Sequence, residues 1–280
     1  MKRNYSLFSL SCGLLAVLLA FSSCEKSDEP LPQTEAELIE ESNLVNEIIT
    51  EALGMALTNL PIGMSDARVM RISEQTYCGE FYIDESESET TYTLVADFGD
   101  GCVGPDNIKR SGRVVFDFIN VDLFETFFVK VSFDDFFYND HQVEGTQTLK
   151  MFPLDWEQFS MQAEIETVGG KVTWPDGSFA TTASKYIQKT FVDFEAGAGK
   201  IEIEGNSVNK SRAGTEFTTS ILKPLVIETK CLEKGVKTVT SGIQQLVAGF
   251  TMTVDFGNGE CDFFATVTKD GKSYIFDLRK

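Results

Sequence analysis

Cysteines, a lone histidine and a surplus of carboxylates are the side chains of this chain with the means to do chemistry. Six cysteines stand at 12, 24, 78, 102, 231 and 261, and His141 is the single histidine among 280 residues. Nucleophilic catalysis needs a base beside the nucleophile, and one histidine with no G-x-S-x-G run anywhere argues against a triad. A zinc site is equally poorly served, because there is no C-x-x-C and only one imidazole. Asp-Phe-Gly occurs twice, at 97–99 and 255–257, yet the histidine-containing catalytic loop, glycine-rich loop and strand lysine of protein kinases are missing, so the tripeptide reads as a turn. Calcium prefers hard oxygen donors on glycine-rich loops, which makes Asp97, Asp100 and Asp106, and likewise Asp255, Asn258 and Asp262, its candidate ligands. Neither set fits the spacing of an EF-hand loop, and solvated turn carboxylates explain both. Glycoside hydrolysis needs only two well-placed acids, but among 43 acidic residues the pattern singles out no pair. No cofactor other than calcium suggests itself.

The N-terminus sets the compartment in which this chemistry would happen. Lys2 and Arg3 precede an apolar stretch from Leu7 to Phe21, then Ser22, Ser23 and Cys24. Basic, apolar and small residues in that order form a secretory signal, and about 15 apolar residues are short for a spanning helix. Glu25-Lys26-Ser27-Asp28-Glu29-Pro30-Leu31-Pro32 follows, a polar tether broken by prolines. A cysteine between a signal core and such a tether has the arrangement of a lipobox, with cleavage after Ser23 and lipid on Cys24. More than one acyl chain holds a protein stably on a membrane. An even number of remaining cysteines in an exported chain favours disulfides. Of the three pairings open to them, Cys78 with Cys102 and Cys231 with Cys261 is favoured by sequence proximity and by a repeat described below. The net charge is −19, and removal of Lys2 and Arg3 makes it −21. Such acidity excludes nucleic acid and bare anionic lipid as partners, since both are bound through basic patches.

Behind the tether, apolar residues at Leu38, Ile39, Val45, Ile48, Ile49, Ala52, Leu53, Ala56 and Leu57 recur at three- and four-residue steps. They predict an amphipathic helix over 34–58, opened by a capping box of Thr34 and Glu37, whose apolar face docks on the domain that follows. A linker covers 59–76. From 77 to 280 the period changes to two, with alternation over 113–121, 126–134, 162–168, 200–204, 251–256 and 273–278. Turn signals at Gly99-Asp100-Gly101, Gly169-Gly170, Pro175-Asp176-Gly177, Gly257-Asn258-Gly259 and Asp270-Gly271 separate these runs. Short strands with tight turns predict an antiparallel β-sandwich or barrel-like meander after one N-terminal helix. Aromatics on both faces of 124–138 mark either a central strand covered on two sides or an exposed aromatic patch.

Val95-Ala96-Asp97-Phe98-Gly99-Asp100-Gly101-Cys102 returns as Thr253-Val254-Asp255-Phe256-Gly257-Asn258-Gly259-Glu260-Cys261, each copy preceded by its own cysteine. Segments 78–121 and 231–278 therefore predict two equivalent disulfide-pinned hairpins near opposite ends of one sheet. The run Asp97–Gly104, with Ser111-Gly112-Arg113, Val143-Glu144-Gly145-Thr146, Gly170-Lys171-Val172-Thr173-Trp174-Pro175-Asp176-Gly177 and the C-terminal copy, resembles uncharacterised outer-membrane lipoproteins of Bacteroidota. Pro105-Asp106-Asn107 departs from their usual Asp-Gly. The resemblance implies an outer-membrane address and a β fold, and transfers no activity.

These readings lead to an expected non-catalytic lipoprotein of the outer membrane, held by lipid at Cys24, facing outward with a periplasm-facing orientation as the alternative, and serving surface interaction or envelope structure. The alternative is a carbohydrate- or peptide-handling surface protein with a carboxylate-dependent hydrolase activity, for which Trp156 or Trp174 beside paired acids would be the sign.

Overall fold

A computed structural model of the chain describes residues 25–26, 30–58, 77–86, 88, 90–122, 124–193, 198–232, 234 and 238–279. Cys24, the signal segment before it and the whole 59–76 linker lie outside them. Helix α1 spans Gln33–Thr58, as the periodicity predicts, but its start differs in detail. The Pro32 carbonyl accepts from the Glu35 and Ala36 amides at 3.1 Å, and Gln33 Nε2 donates to Glu37 Oε1 at 2.6 Å. Thr34 is therefore inside the first turn and does not cap it.

The strands are β1 (Glu25–Lys26), β2 (Glu80–Ser86), β3 (Tyr92–Asp97), β4 (Cys102–Val103), β5 (Lys109–Ile119), β6 (Phe127–Tyr138), β7 (His141–Met151), β8 (Ser160–Thr173), β9 (Phe179–Asp193), β10 (Ala198–Lys210), β11 (Glu216–Glu228), β12 (Ser241–Val247), β13 (Thr251–Asn258), β14 (Phe264–Lys269) and β15 (Lys272–Asp277). A four-residue helical turn, α2 (Thr229–Leu232), precedes β12. From β2 to β15 every strand pairs with its predecessor in an antiparallel meander, with β4 set aside on β5 and β1 added in parallel to β15. The meander is one open sheet, neither a two-sheet sandwich nor a closed barrel.

Strand direction gives the sheet two ends. Glu25 pairs with Lys272, so β1 begins beside the 270–271 turn, at what we call the near end with the turns around 99, 139, 175, 212 and 249. The turns 120–126 and 152–159 and the segment between β13 and β14 lie at the far end. Four acidic side chains on α1 meet residues at the near end in the order of the sheet: Glu35 with Lys269, Glu41 with the Arg212 amide at 2.8 Å, Glu47 with the Tyr138 hydroxyl at 2.9 Å and Glu51 with Arg110. The helix thus lies across the strands. Glu35 to Glu51 covers about 24 Å of helix, whereas β14 to β5 covers about 43 Å of sheet measured strand by strand. The sheet bends around the helix, and long side chains span the remainder.

Glycine bulges supply the bend. Register shifts occur at Ser111/Arg113 between β5 and β6, Glu144/Thr146 between β7 and β8, Ile203/Asn206 between β10 and β11, and Ser241/Ile243 between β12 and β13. Gly112 (φ 76°), Gly145 (φ 122°), Gly205 (φ 139°) and Gly242 (φ 114°) occupy them. A Cβ on Gly112 would sit 1.9 Å from the Asp135 carbonyl oxygen. Gly112→Ala is expected to lower stability by about 2 kcal/mol, measured by urea unfolding, because φ and space both forbid it.

The same bulges correct two sequence expectations. Gly169-Gly170 is not a turn: β8 runs through it, and Gly170 lies so close to Gly145 of β7 that a Cβ there has no room. Along β6, Phe127, Val129 and Val131 are buried, then the bulge at 133–135 exchanges faces so that Phe136 and Tyr138 are buried. Aromatics on both parities of 124–138 reflect that exchange of faces within one strand.

Two apolar cores result. One joins Val45, Ile48, Ile49, Ala52 and Met55 of α1 to Phe98, Phe116, Phe118, Phe127 and Phe136. The other joins Leu38 and Ile39 to Phe217, Met252, Val254, Phe256 and Val267. Between them runs a strip of buried polar side chains, Gln147, Thr167, Thr182, Ser207, Asn209 and Thr219. Ser207 and Thr219 hydroxyls lie 2.7 Å apart, and Asn209 Nδ2 donates to Ser207 at 2.7 Å. On the outer face the register sets Lys150 against Glu164, Glu166 against Lys185 and Lys189 against Glu202, a ladder of opposite charges suited to water.

Candidate functional site: an exposed aromatic lip

The cysteines pair as the spacing suggests. Cys78–Cys102 and Cys231–Cys261 are disulfides with Cα separations of 5.9 and 5.2 Å. The first pins the near end beside β2 and the second the far end beside β13, so the two related segments sit at opposite ends of the strands. Their Asp-Phe-Gly corners match in detail. Asp97 Oδ1 accepts from the Gly99 amide at 2.8 Å and Asp255 Oδ1 from the Gly257 amide at 2.9 Å, while Phe98 and Phe256 enter the two cores.

The remaining calcium candidates are dispersed in use. Asp106 binds Arg110, Asp262 Oδ1 accepts from the Phe264 amide at 3.0 Å, and Asp100 and Asn258 face solvent. Among the described residues no three His, Cys, Asp or Glu side chains converge on a point that could hold a metal ion.

A buried cluster that sequence reading missed centres on Arg110, whose side chain has no solvent exposure. Its guanidinium donates to Glu51 Oε1 at 3.0 Å and to both Asp106 oxygens at 3.1 and 2.6 Å, with its carbon 5.1 Å from the Tyr77 ring centre and 5.8 Å from that of Tyr138. Burial pushes the Glu51 carboxyl up more than Arg110 draws it down. Burial also pushes on Asp106, but the bonds from Arg110 and the Ile108 amide leave it below the usual range. Burial and the neighbouring glutamates raise both tyrosines. Every polar group here has a partner, so the cluster fastens α1 to the first hairpins. Its grouping was invisible in sequence because 51, 77, 106, 110 and 138 share no spacing, and Asp106 stood out only as a calcium candidate.

The tryptophans part company. Trp174 is half-buried at the near end, with the Arg212 guanidinium 4.5 Å over its ring and His141 edge-on at 5.2 Å. Arg212 is held there by Ser178 Oγ at 2.9 Å and Asp176 at 3.2 Å. His141 itself lies against the Tyr138 carbonyl, 3.1 Å from Nδ1.

Trp156, by contrast, is 58% exposed at the far end and stacks on Phe124, which is 72% exposed, with ring centres 6.4 Å apart. Phe159, at 45%, completes an aromatic lip with Val192 beside it. Hydrogen bonds in two turns position the described residues of the lip. Asp122 Oδ1 accepts from the Phe124 amide at 2.8 Å, and Asp155 Oδ1 from the Glu157 and Gln158 amides at 2.9 and 3.0 Å. Asp155 and Ser160 exchange backbone hydrogen bonds, and the Phe159 carbonyl accepts from Val192 at 3.0 Å. Phe159 has φ 46°, a left-handed conformation that is a clear outlier for a bulky residue. The carboxyls pushed up by burial, Glu41 and Glu51, are carried by α1 and engage Arg212 and Arg110 at the near end, away from Trp156. Comparison of the chain with protein-family models, with curated proteins and with solved structures returns no match.

Proposed function

We propose that this chain is a non-catalytic lipoprotein of the outer-membrane surface, lipidated on Cys24, whose β domain presents its far end to a partner outside the membrane. The observation that carries the reading is directional. β1 starts at the near end one residue after Cys24, and the exposed aromatic lip is at the opposite end. A strand such as β9, with 15 residues, spans about 50 Å, which separates lip from anchor. Two disulfides suit an oxidising compartment. The charged outer face suits solvent, and the reading requires neither metal nor cofactor.

Cys24→Ala is expected to move the protein from the membrane pellet to the soluble fraction, and retention in the pellet would refute the anchor. Protease added to intact cells should cut the wild-type domain, whereas full protection would place it on the inner side. Turnover of a surface or dietary glycan by the purified chain would overturn the non-catalytic reading.

A further inference from the structure

We infer that the far-end lip is a docking surface for a basic, Lys- or Arg-bearing segment of a partner protein; the inference rests on the interaction role proposed above and names the chemistry of the partner. The rings of Phe124, Trp156 and Phe159 form an exposed patch on a protein whose other large aromatics are mostly packed. The turns that carry them, 120–126 and 152–159, contain Asp122, Glu125, Asp155 and Glu157 and no lysine or arginine. Aromatic faces ringed by carboxylates attract ammonium and guanidinium groups twice, through the ring quadrupole and through charge. Lysines from the adjoining strands reach the base of this end and are already engaged there: Lys189 donates to Gln158 at 2.9 Å and lies over the Phe191 ring, Lys150 lies over the Phe152 ring and 3.8 Å from Glu164, and Lys200 lies over Phe191 and 2.6 Å from Glu202. A net charge of −19 steers cations toward the whole molecule, and the lip is where they also find apolar contact. An apolar bilayer is a poor occupant, since four carboxylates would enter it with the rings.

Phe159 adds an independent sign. Its left-handed backbone carries a strain that glycine would relieve, and its side chain is partly exposed. Strain held in place by the Asp155–Ser160 bridge and the Val192 bond is the mark of a preorganised contact.

The test is a titration of the full-length protein in mild detergent with a short synthetic peptide of lysine, arginine and glycine, followed by tryptophan fluorescence. Saturable change with this peptide, and none with a glutamate–glycine peptide, is expected. Trp156→Phe should remove most of the signal, because Trp174 is half-buried beneath Arg212 at the opposite end. The pairs Phe124→Ser with Trp156→Ser, and Glu125→Gln with Glu157→Gln, followed by calorimetry, should each weaken binding by about tenfold or more. Phe159→Gly should raise the melting temperature while lowering affinity, a combination that loss of folding cannot produce. Equal peptide affinity in wild type and both double variants would reduce the effect to general attraction by an acidic protein and overturn the inference. Preference of the lip for neutral glycans or zwitterionic vesicles over the basic peptide would overturn it too. Failure of the Cys24→Ala release experiment would remove the anchor and leave this titration, carried out off the membrane, to be decided separately.

Discussion

Replacing Arg110 with methionine is expected to cost about 3–5 kcal/mol of stability, read as a lower urea midpoint, because it strands Glu51 and Asp106 in a buried site built around the guanidinium. Methionine fills comparable volume, so the loss reports the uncompensated carboxylates more than a cavity. Adding Glu51→Gln and Asp106→Asn to the same chain should restore much of the loss, and no recovery would mean that Arg110 acts chiefly through packing on Tyr77 and Tyr138. The two acids also give the cluster opposite responses to pH. Glu51 titrates above its ordinary 4.5 in the folded protein, so its contribution is complete below that pH and fades as pH rises through the raised value. Asp106 titrates below its ordinary 3.8, so its contribution is present above that pH and is lost as pH falls through the lowered value. Glu51→Gln is therefore expected to flatten the decline in stability as pH rises above 4.5, and a steeper decline would contradict the burial that raises this group.

Removing either disulfide is expected to cost about 3–4 kcal/mol, from closed loops with sequence separations of 24 and 30 residues. The more informative result is where the cost falls. Each apolar core holds one Asp-Phe-Gly corner and one half of α1, Cys78 and Cys102 pack against the first, and β10 contributes Ser207 and Asn209 as the seam between them. Cys231→Ala with Cys261→Ala should strip hydrogen-exchange protection from β12–β15 while β5–β8 keep theirs. Uniform loss of protection would show that the polar strip couples the two cores as tightly as apolar packing would.

The helix, the disulfide pairing and the turn corners were legible in the chain because each is a local matter: a 3.6-residue period, two nearby cysteines, an Asp whose oxygen reaches the amide two residues on. The openness of the sheet was not. Alternation reports that one face of a strand is covered and is silent on what covers it, so a second sheet, a closed barrel and a helix across a bent sheet read alike. The bend itself rests on Gly112, Gly145, Gly205 and Gly242, and the Gly145–Gly170 contact made the diglycine resemble a turn. Of the candidate site, Trp156 was named beside Trp174, yet only the fold tells them apart, through Arg212 arriving from the 211–214 turn. Phe159 left no trace in the sequence, since nothing in its neighbours announces a left-handed aromatic.

The order of contacts along α1 has a mechanical consequence. Under the proposed anchoring, a pull on the membrane end loads the two-residue pairing of β1 on β15 in shear, and so short a pairing yields first. Tension then reaches the helix at its N-terminus and meets Glu35–Lys269, Glu41–Arg212, Glu47–Tyr138 and Glu51–Arg110 one after another. The helix would peel like a zip whose last tooth is the strongest, so the domain would lengthen its leash in steps before the disulfide-pinned first hairpins felt any force.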